Sequence, residues 1–200
     1  MDYFPILIKL AGRRVLVCGS NDEAVSKIRL LLKSSAEIVV FGTPTNRRIK
    51  MWSEKGSIQY NNRLVEEKDC YNIAFAYVAL KKGIERDATL RVLTKTKIPY
   101  CVVDDKLQSD FITPAIVDRN PVTVAIGSEG TAPALVRHIK AQIENILPRQ
   151  IGLVARIAGA FRSYVYRLPK SHTRRHFWTR FFNQAKSQIF SQSSTQDLET

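Results

Sequence analysis

Residues 14–41 constrain the fold more than any other stretch of this chain. Arg14-Val15-Leu16-Val17-Cys18-Gly19 is a short apolar run that ends in glycine. An apolar run of that length, without alternation, suits a strand buried on both faces. Residues 22–34 follow, with Ala24, Ile28, Leu31 and Leu32 spaced as on one face of a helix. Glu37-Ile38-Val39-Val40-Phe41 reads as a second buried strand. Strand, turn, helix and strand in so short a span make the βαβ unit of a doubly wound α/β sheet.

The pattern continues for about 105 residues. Short strands are expected at Ser57–Tyr60, Ile73–Leu80 and Tyr100–Val103, with a helix over Gly83–Leu93. It then changes. Phe111–Val117 and Val122–Ile126 read as extended segments joined by the turn Asp118-Arg119-Asn120-Pro121. After the small-residue loop Gly127-Ser128-Glu129-Gly130-Thr131, Thr131 is placed to cap a helix before Pro133. That helix spans Ala134–Leu147, with Leu135, Ile139, Ile143 and Ile146 along one face. Further helices are expected at Ile151–Tyr166 and Thr173–Lys186, and the Ser/Gln/Thr-rich residues 187–200 read as a flexible tail. The expected organisation is 1–112, a nucleotide-binding type α/β domain; 113–147, a connecting segment; 148–186, a helical domain; and the tail.

Composition narrows the function classes. With 44% hydrophobic residues in 200, the chain has material for a core and is not a disordered polyelectrolyte. No run approaches the length of a membrane span, and Met1-Asp2-Tyr3-Phe4-Pro5 lacks a basic region ahead of an apolar one. Cys18, Cys70 and Cys101 are too few and too scattered for a disulfide framework or a zinc site. A cytoplasmic protein with no membrane partner and no resident metal is expected.

The formal net charge of +13 calls for a polyanionic partner or a solvated basic face. Residues 113–200 hold twelve Lys+Arg against five Asp+Glu, and from Asn145 to Gln196 there is no acid at all. The bases there, from Arg149 to Lys186, are interleaved with aromatics such as Phe161, Tyr164, Phe177 and Trp178. A basic helical face over an aromatic core and a surface for a polyanion both fit. No recognised nucleic-acid motif accompanies them, so nucleic acid is not the expected partner.

A dinucleotide fingerprint requires G-x-G-x-x-G/A after the first strand. Here the three positions are Gly19, Asn21 and Ala24, so the first and third fit and the second does not. Asparagine tolerates positive φ, but its side chain would intrude where a diphosphate should lie. Glu23 suits the helix dipole and repels a diphosphate.

Assembled in order, these segments resemble the dehydrogenase/ferrochelatase part of siroheme synthase, from Met1 to about Phe182. The resemblance is carried by Phe4-Pro5-Ile6, by Lys27-Ile28-Arg29-Leu30-Leu31-Leu32 and by Cys101-Val102-Val103-Asp104. Phe111-Ile112-Thr113-Pro114-Ala115, Asp118-Arg119-Asn120-Pro121 and Gly127-Ser128-Glu129-Gly130-Thr131-Ala132-Pro133, with Leu135 and Arg137 beyond, extend it. Val154-Ala155-Arg156 and Arg174-Arg175-His176-Phe177-Trp178 complete it.

The resemblance implies a Rossmann-like domain over 1–112, a dimerisation segment over 113–147 and a small helical domain over 148–186, assembled as a homodimer. It implies NAD-dependent oxidation of precorrin-2 to sirohydrochlorin, insertion of ferrous iron as a substrate, or both. Asp104 matches the family's acid/base. Ser128 matches a family serine on the tetrapyrrole side, where Gly130 and Thr131 are expected to offer backbone N–H groups at a helix N-terminus to a carboxylate, with Arg137 beyond; Gly19, Asn21, Asp22, Glu23, Thr43 and Pro44 fall at the positions of the NAD side. A basic cleft would also steer a polycarboxylate tetrapyrrole.

Two segments depart from the family. Its loop is usually a run of glycines followed by Val-Ala, where this chain has Gly19-Ser20-Asn21-Asp22-Glu23-Ala24. Its Ala-Thr-Asp/Asn after the fourth strand is here Ala76-Tyr77-Val78-Ala79. Both lie on the NAD side, so weakened NAD binding is expected, and a tetrapyrrole-binding relative without dehydrogenase activity is the alternative.

Overall fold

Val15, Leu16, Val17 and Cys18 are buried and form the centre of strand β1 (Arg14–Cys18). Successive residues face opposite sides. Val15 and Val17 enter an apolar cluster with Ala24, Ile28 and Ile49, whereas Leu16 and Cys18 join Val65, Leu93 and Ile98. A strand covered on both faces is apolar at every position, which is the pattern seen in the sequence. Each fully buried side chain of this size contributes roughly 1.5–3 kcal/mol.

The structure, a computed structural model, describes residues 1–43, 46–169 and 171–196. It divides into two compact units, Met1–Thr113 and Pro114–Thr200.

In the first unit β1 is followed by α1 (Asp22–Leu31), β2 (Glu37–Phe41), α2 (Arg47–Glu54) and β3 (Gln59–Asn61). Then come β4 (Ile73–Val78), α3 (Ile84–Lys95) and β5 (Tyr100–Val102). The five strands are parallel in the order β3-β2-β1-β4-β5. This is the doubly wound, Rossmann-like arrangement, and strand order reverses between β1 and β4. Helix α1 buries Ala24, Val25, Ile28 and Leu31. It ends at Leu31 rather than at residue 34, because the Ser34 hydroxyl donates to the Leu31 carbonyl at 2.6 Å and turns the chain.

The strand ends at the reversal are held unusually close. Gly19 N–H donates to Phe41 O at 2.7 Å, and Ala79 N–H donates to Cys18 O at 2.7 Å. Gly19 has φ +127°, and a Cβ built on it would lie 2.3 Å from the Ala79 carbonyl oxygen. Gly42, at the end of β2, abuts Gly19 in turn: its Cβ would lie 2.9 Å from the Gly19 carbonyl carbon. Only glycine fits at Gly19, by conformation and by space.

The second unit begins with an antiparallel ribbon, β6 (Ala115–Arg119) and β7 (Val122–Ile126). Strand β6 starts later than the expected Phe111, because Phe111 belongs to the first unit. Its ring packs edge-on against Phe75 and Tyr77, with centroids at 5.2 and 5.8 Å. Helices α4 (Pro133–Ile146), α5 (Ile151–Tyr166) and α6 (Ser171–Gln196) follow.

Arg119 reaches the C-terminus of α4, donating to Leu147 O at 2.9 Å and Glu144 O at 3.2 Å. A cation there satisfies carbonyls that have no helical partner. Helix α5 crosses the ribbon turn closely enough that a Cβ on Gly152 would lie 2.4 Å from the Arg119 and Asn120 oxygens. Helix α4 has no buried residue; Leu135 is 54% and Ile146 68% exposed. Helix α6 continues to Gln196, past Lys186 where a tail was expected. After Pro169 the chain has no glycine or proline to end a helix once begun.

Gly19→Ala is expected to destabilise the first unit by about 2–4 kcal/mol through strain and overpacking. Urea unfolding followed by far-UV circular dichroism measures this, and a loss under about 0.5 kcal/mol would contradict the close approach.

Candidate functional site

Where strand order reverses in an open parallel sheet, the loops at the carboxyl ends diverge and leave a crevice. In the first unit that crevice is a cleft of about 760 Å³. Ser20, Asn21, Thr43 and Asn46 line one side of it, and Ala79, Leu80, Lys81, Lys82, Gly83, Ile84 and Glu85 the other. Gly19, where the strand ends meet, directly precedes the lining residues Ser20 and Asn21.

Asn21 does not take positive φ. It sits at φ −80° as the N-cap of α1, and its side-chain oxygen accepts from Ala24 N–H at 2.9 Å. Its amide nitrogen donates to Glu23 at 3.3 Å. The side chain therefore folds over the helix terminus and occupies one of the N–H donors that would otherwise serve a diphosphate. Asp22 and Glu23, in the same first turn, are exposed and do not line the cleft. Thr43 lines it, and Pro44 lies outside the described residues.

The cations come from elsewhere. Lys81 and Lys82 lie just beyond β4, after Ala79 and Leu80, and line the cleft, a role the sequence did not make evident. A Lys-Lys-Gly run just beyond a buried strand was the available signal. Asn46 was also missed; it caps α2, accepting from Arg48 N–H at 2.9 Å. Tyr77, by contrast, is a core residue. Its ring packs against Phe75, its hydroxyl accepts from Thr113 at 3.0 Å, and Lys27 lies 5.1 Å from the ring centre.

Asp104 lies two residues beyond β5, on the same carboxyl edge of the sheet. It has φ +60° and its side chain is exposed. Its neighbour Asp105 forms an ion pair with Arg86 of α3, and the Arg86 hydrogen bond holds the Asp105 carboxyl below the usual carboxylate range. The thiols are poor nucleophiles. Burial pushes Cys18 up to about 12 and raises Cys101 as well.

Ser128, Gly130, Thr131 and Arg137 belong to the second unit. Thr131 does not cap α4. Its N–H donates to Ser128 O at 2.8 Å, and the Ser128 hydroxyl accepts from Ala132 N–H at 3.1 Å. Ser128 thus serves the start of α4 in the place expected of Thr131, because Glu129 and Gly130 both take positive φ and turn the loop back. The Thr131 N–H is engaged and is not open to a carboxylate, whereas Arg137 is exposed on α4.

Several bases of the acid-free stretch also have internal partners. Arg156 donates to Asn120 O at 2.9 Å, Arg174 donates to Leu168 O at 2.9 Å and lies over Tyr166, and Arg167 lies over Tyr164. Phe177, Trp178, Phe181 and Phe182 pack against one another along α6. Among the described residues no group of His, Cys, Asp or Glu could hold a metal ion, and no helix is long and apolar enough to cross a membrane.

Residues 6–115 match the family model described as "Putative NAD(P)-binding", and residues 150–200 match the sirohaem synthase dimerisation region. The chain belongs to the family of the siroheme synthase N-terminal part. It is 32% identical to the siroheme synthase of Methylococcus capsulatus over 200 residues, all of this chain and 42% of that protein. It is 37% identical to that of Neisseria meningitidis serogroup B over 187 residues, 92% of this chain and 38% of that protein. The chain thus spans about two fifths of the length of these relatives. A solved structure described as SirC, precorrin-2 dehydrogenase, superposes with a TM-score of 0.72 at 23% identity. The match covers 87% of this chain and 86% of that one, and it shows the shared fold.

For a member of this family, the Asn21 cap carries a specific consequence. Replacing asparagine by glycine at an N-cap costs a helix only a few tenths of a kcal/mol, while it releases the Ala24 N–H. Asn21→Gly is expected to tighten NAD binding several-fold in calorimetric titration, and unchanged or weaker affinity would contradict the capping account.

Proposed function

We propose that this protein acts in siroheme synthesis, oxidising precorrin-2 to sirohydrochlorin with NAD and passing ferrous iron, as a substrate, into the product. The observation that carries the reading is Asp104: an exposed carboxylate held at positive φ beyond β5, on the carboxyl edge that also holds the cleft.

The cleft suits a dinucleotide. Gly19 lets the strand ends close on one another beneath the loops, and Lys81 and Lys82 offer charge to a diphosphate. Bound there, NAD supplies the acceptor for a hydride. Loss of a hydride from a reduced tetrapyrrole leaves a proton to be removed, and the Asp104 carboxylate accepts it. In metal insertion the same oxygens accept the pyrrole protons that iron displaces. Ser128 and Arg137 of the basic second unit offer a hydroxyl and a cation to a polycarboxylate. The exposed apolar residues of α4, Leu135 and Ile146, are covered in a homodimer.

A second reading has its own support. Asn21 closes the α1 terminus upon itself, and Asp22 and Glu23 place negative charge in its first turn. Both weaken the hold on a diphosphate, so chelation or tetrapyrrole binding outlasts dehydrogenation in this chain.

Asp104→Asn separates these activities from the fold. General acid–base assistance contributes about 10²–10⁴-fold. The variant is expected to lose at least a hundredfold in precorrin-2 oxidation and in iron insertion, both followed by absorbance, with an unchanged thermal melt. Wild-type rates in both reactions would sink the proposal.

A further inference from the structure

Of the polar and charged side chains among the described residues, Arg86 and Thr89 are the two that are buried, both on the inner face of α3. Arg86 is 4% exposed. Burying a guanidinium is costly, and even a well-paired one is often no more stabilising than an apolar residue of similar volume. Stability alone is therefore a poor account of an arginine at this position.

Its partners indicate what it holds. Arg86 forms an ion pair with Asp105 and donates to Gln108 at 3.0 Å. Asp105 is also tied through its backbone: its N–H donates to Val102 O at 3.2 Å, and the Ser109 hydroxyl lies 2.7 Å from its carbonyl oxygen. The same hydroxyl accepts from Val102 N–H at 2.9 Å. The chain on either side of Asp104 is thereby fixed from three directions. Asp104 itself takes the left-handed conformation, which a residue other than glycine keeps only when its surroundings over-determine it.

We infer that Arg86 is a positioning residue for Asp104: through Asp105 it locks the turn after β5 so that the Asp104 carboxylate is presented to substrate in one orientation. The inference rests on the reading of Asp104 as proton acceptor. Release of the clamp lets Asp105 turn to water and the Asp104 backbone relax. The carboxylate is kept, but its aim is lost, and misplacement of this kind is felt in turnover more than in binding.

The test uses the whole protein and precorrin-2 generated enzymatically, with kcat and KM measured at saturating NAD and thermal melts run in parallel. Arg86→Gln is expected to lower kcat at least tenfold with KM within about threefold of wild type. Arg86→Lys, which keeps the charge and loses the fork, recovers part of kcat. Should Arg86→Gln fail to fold, Asp105→Asn breaks the pair from its less buried side, and the same loss in kcat is expected. In an Asp104→Asn background, Arg86→Gln or Asp105→Asn is expected to cost nothing more.

A folded Arg86→Gln or Asp105→Asn with wild-type kcat overturns the inference. A change confined to KM, or a further loss added to Asp104→Asn, also overturns it. If Asp104→Asn is inactive in any of these cases, the reading of Asp104 stands and the clamp alone is wrong. If Asp104→Asn turns over like wild type, both fall.

Discussion

The approach of Gly19 to the Ala79 carbonyl is the contact on which the rest of the first unit depends. With no side chain at Gly19, the ends of β1, β2 and β4 join through two 2.7 Å hydrogen bonds, from Gly19 to Phe41 and from Ala79 to Cys18. Beyond that junction the chains part, because strand order reverses between β1 and β4. The cleft lies above, between the loop that leads into α1 and the Leu80-Lys81-Lys82-Gly83 segment. A side chain at Gly19 would push apart the strands whose ends lead into the loops that line the cleft.

What fills such a cleft is decided by its walls. In a dinucleotide-binding domain, bare backbone at the start of the first helix meets the diphosphate. In this chain Asn21 satisfies part of that terminus internally, and two acids follow it. The positive charge has moved to Lys81 and Lys82, across the cleft. That is a different electrostatic arrangement from a glycine-rich loop, and under the proposed function dinucleotide affinity would depend on long, flexible ammonium side chains. The proposed proton chemistry is separate from this. Asp104 lies beyond β5, braced through Asp105, and owes nothing to the α1 terminus.

The parts of the fold that the sequence made legible are those with a strong apolar period. Residues 14–41 could scarcely be anything but strand, helix and strand, since every strand residue from Val15 to Cys18 is buried and α1 shows the helical spacing. Polar contacts were harder to read. Nothing in the letters says that the Asn21 oxygen would cap Ala24, or that Ser128, not Thr131, would meet the start of α4, because those choices depend on backbone angles. The Arg86–Asp105 pair is 19 residues apart in sequence and could be found only once α3 lay against the sheet. The end of α6 was misplaced for a simpler reason: polar composition resembles a tail, yet without glycine or proline it does not stop a helix.

The most direct test of the account is the rate of sirohydrochlorin formation from precorrin-2 as NAD is raised from micromolar to tens of millimolar. Proton acceptance by Asp104, combined with a dinucleotide hold weakened by the Asn21 cap and the two acids after it, predicts turnover that depends on NAD and saturates only toward the millimolar end. No sirohydrochlorin at any NAD concentration would contradict the proposed oxidation. Saturation at low micromolar NAD would contradict the weakened cleft.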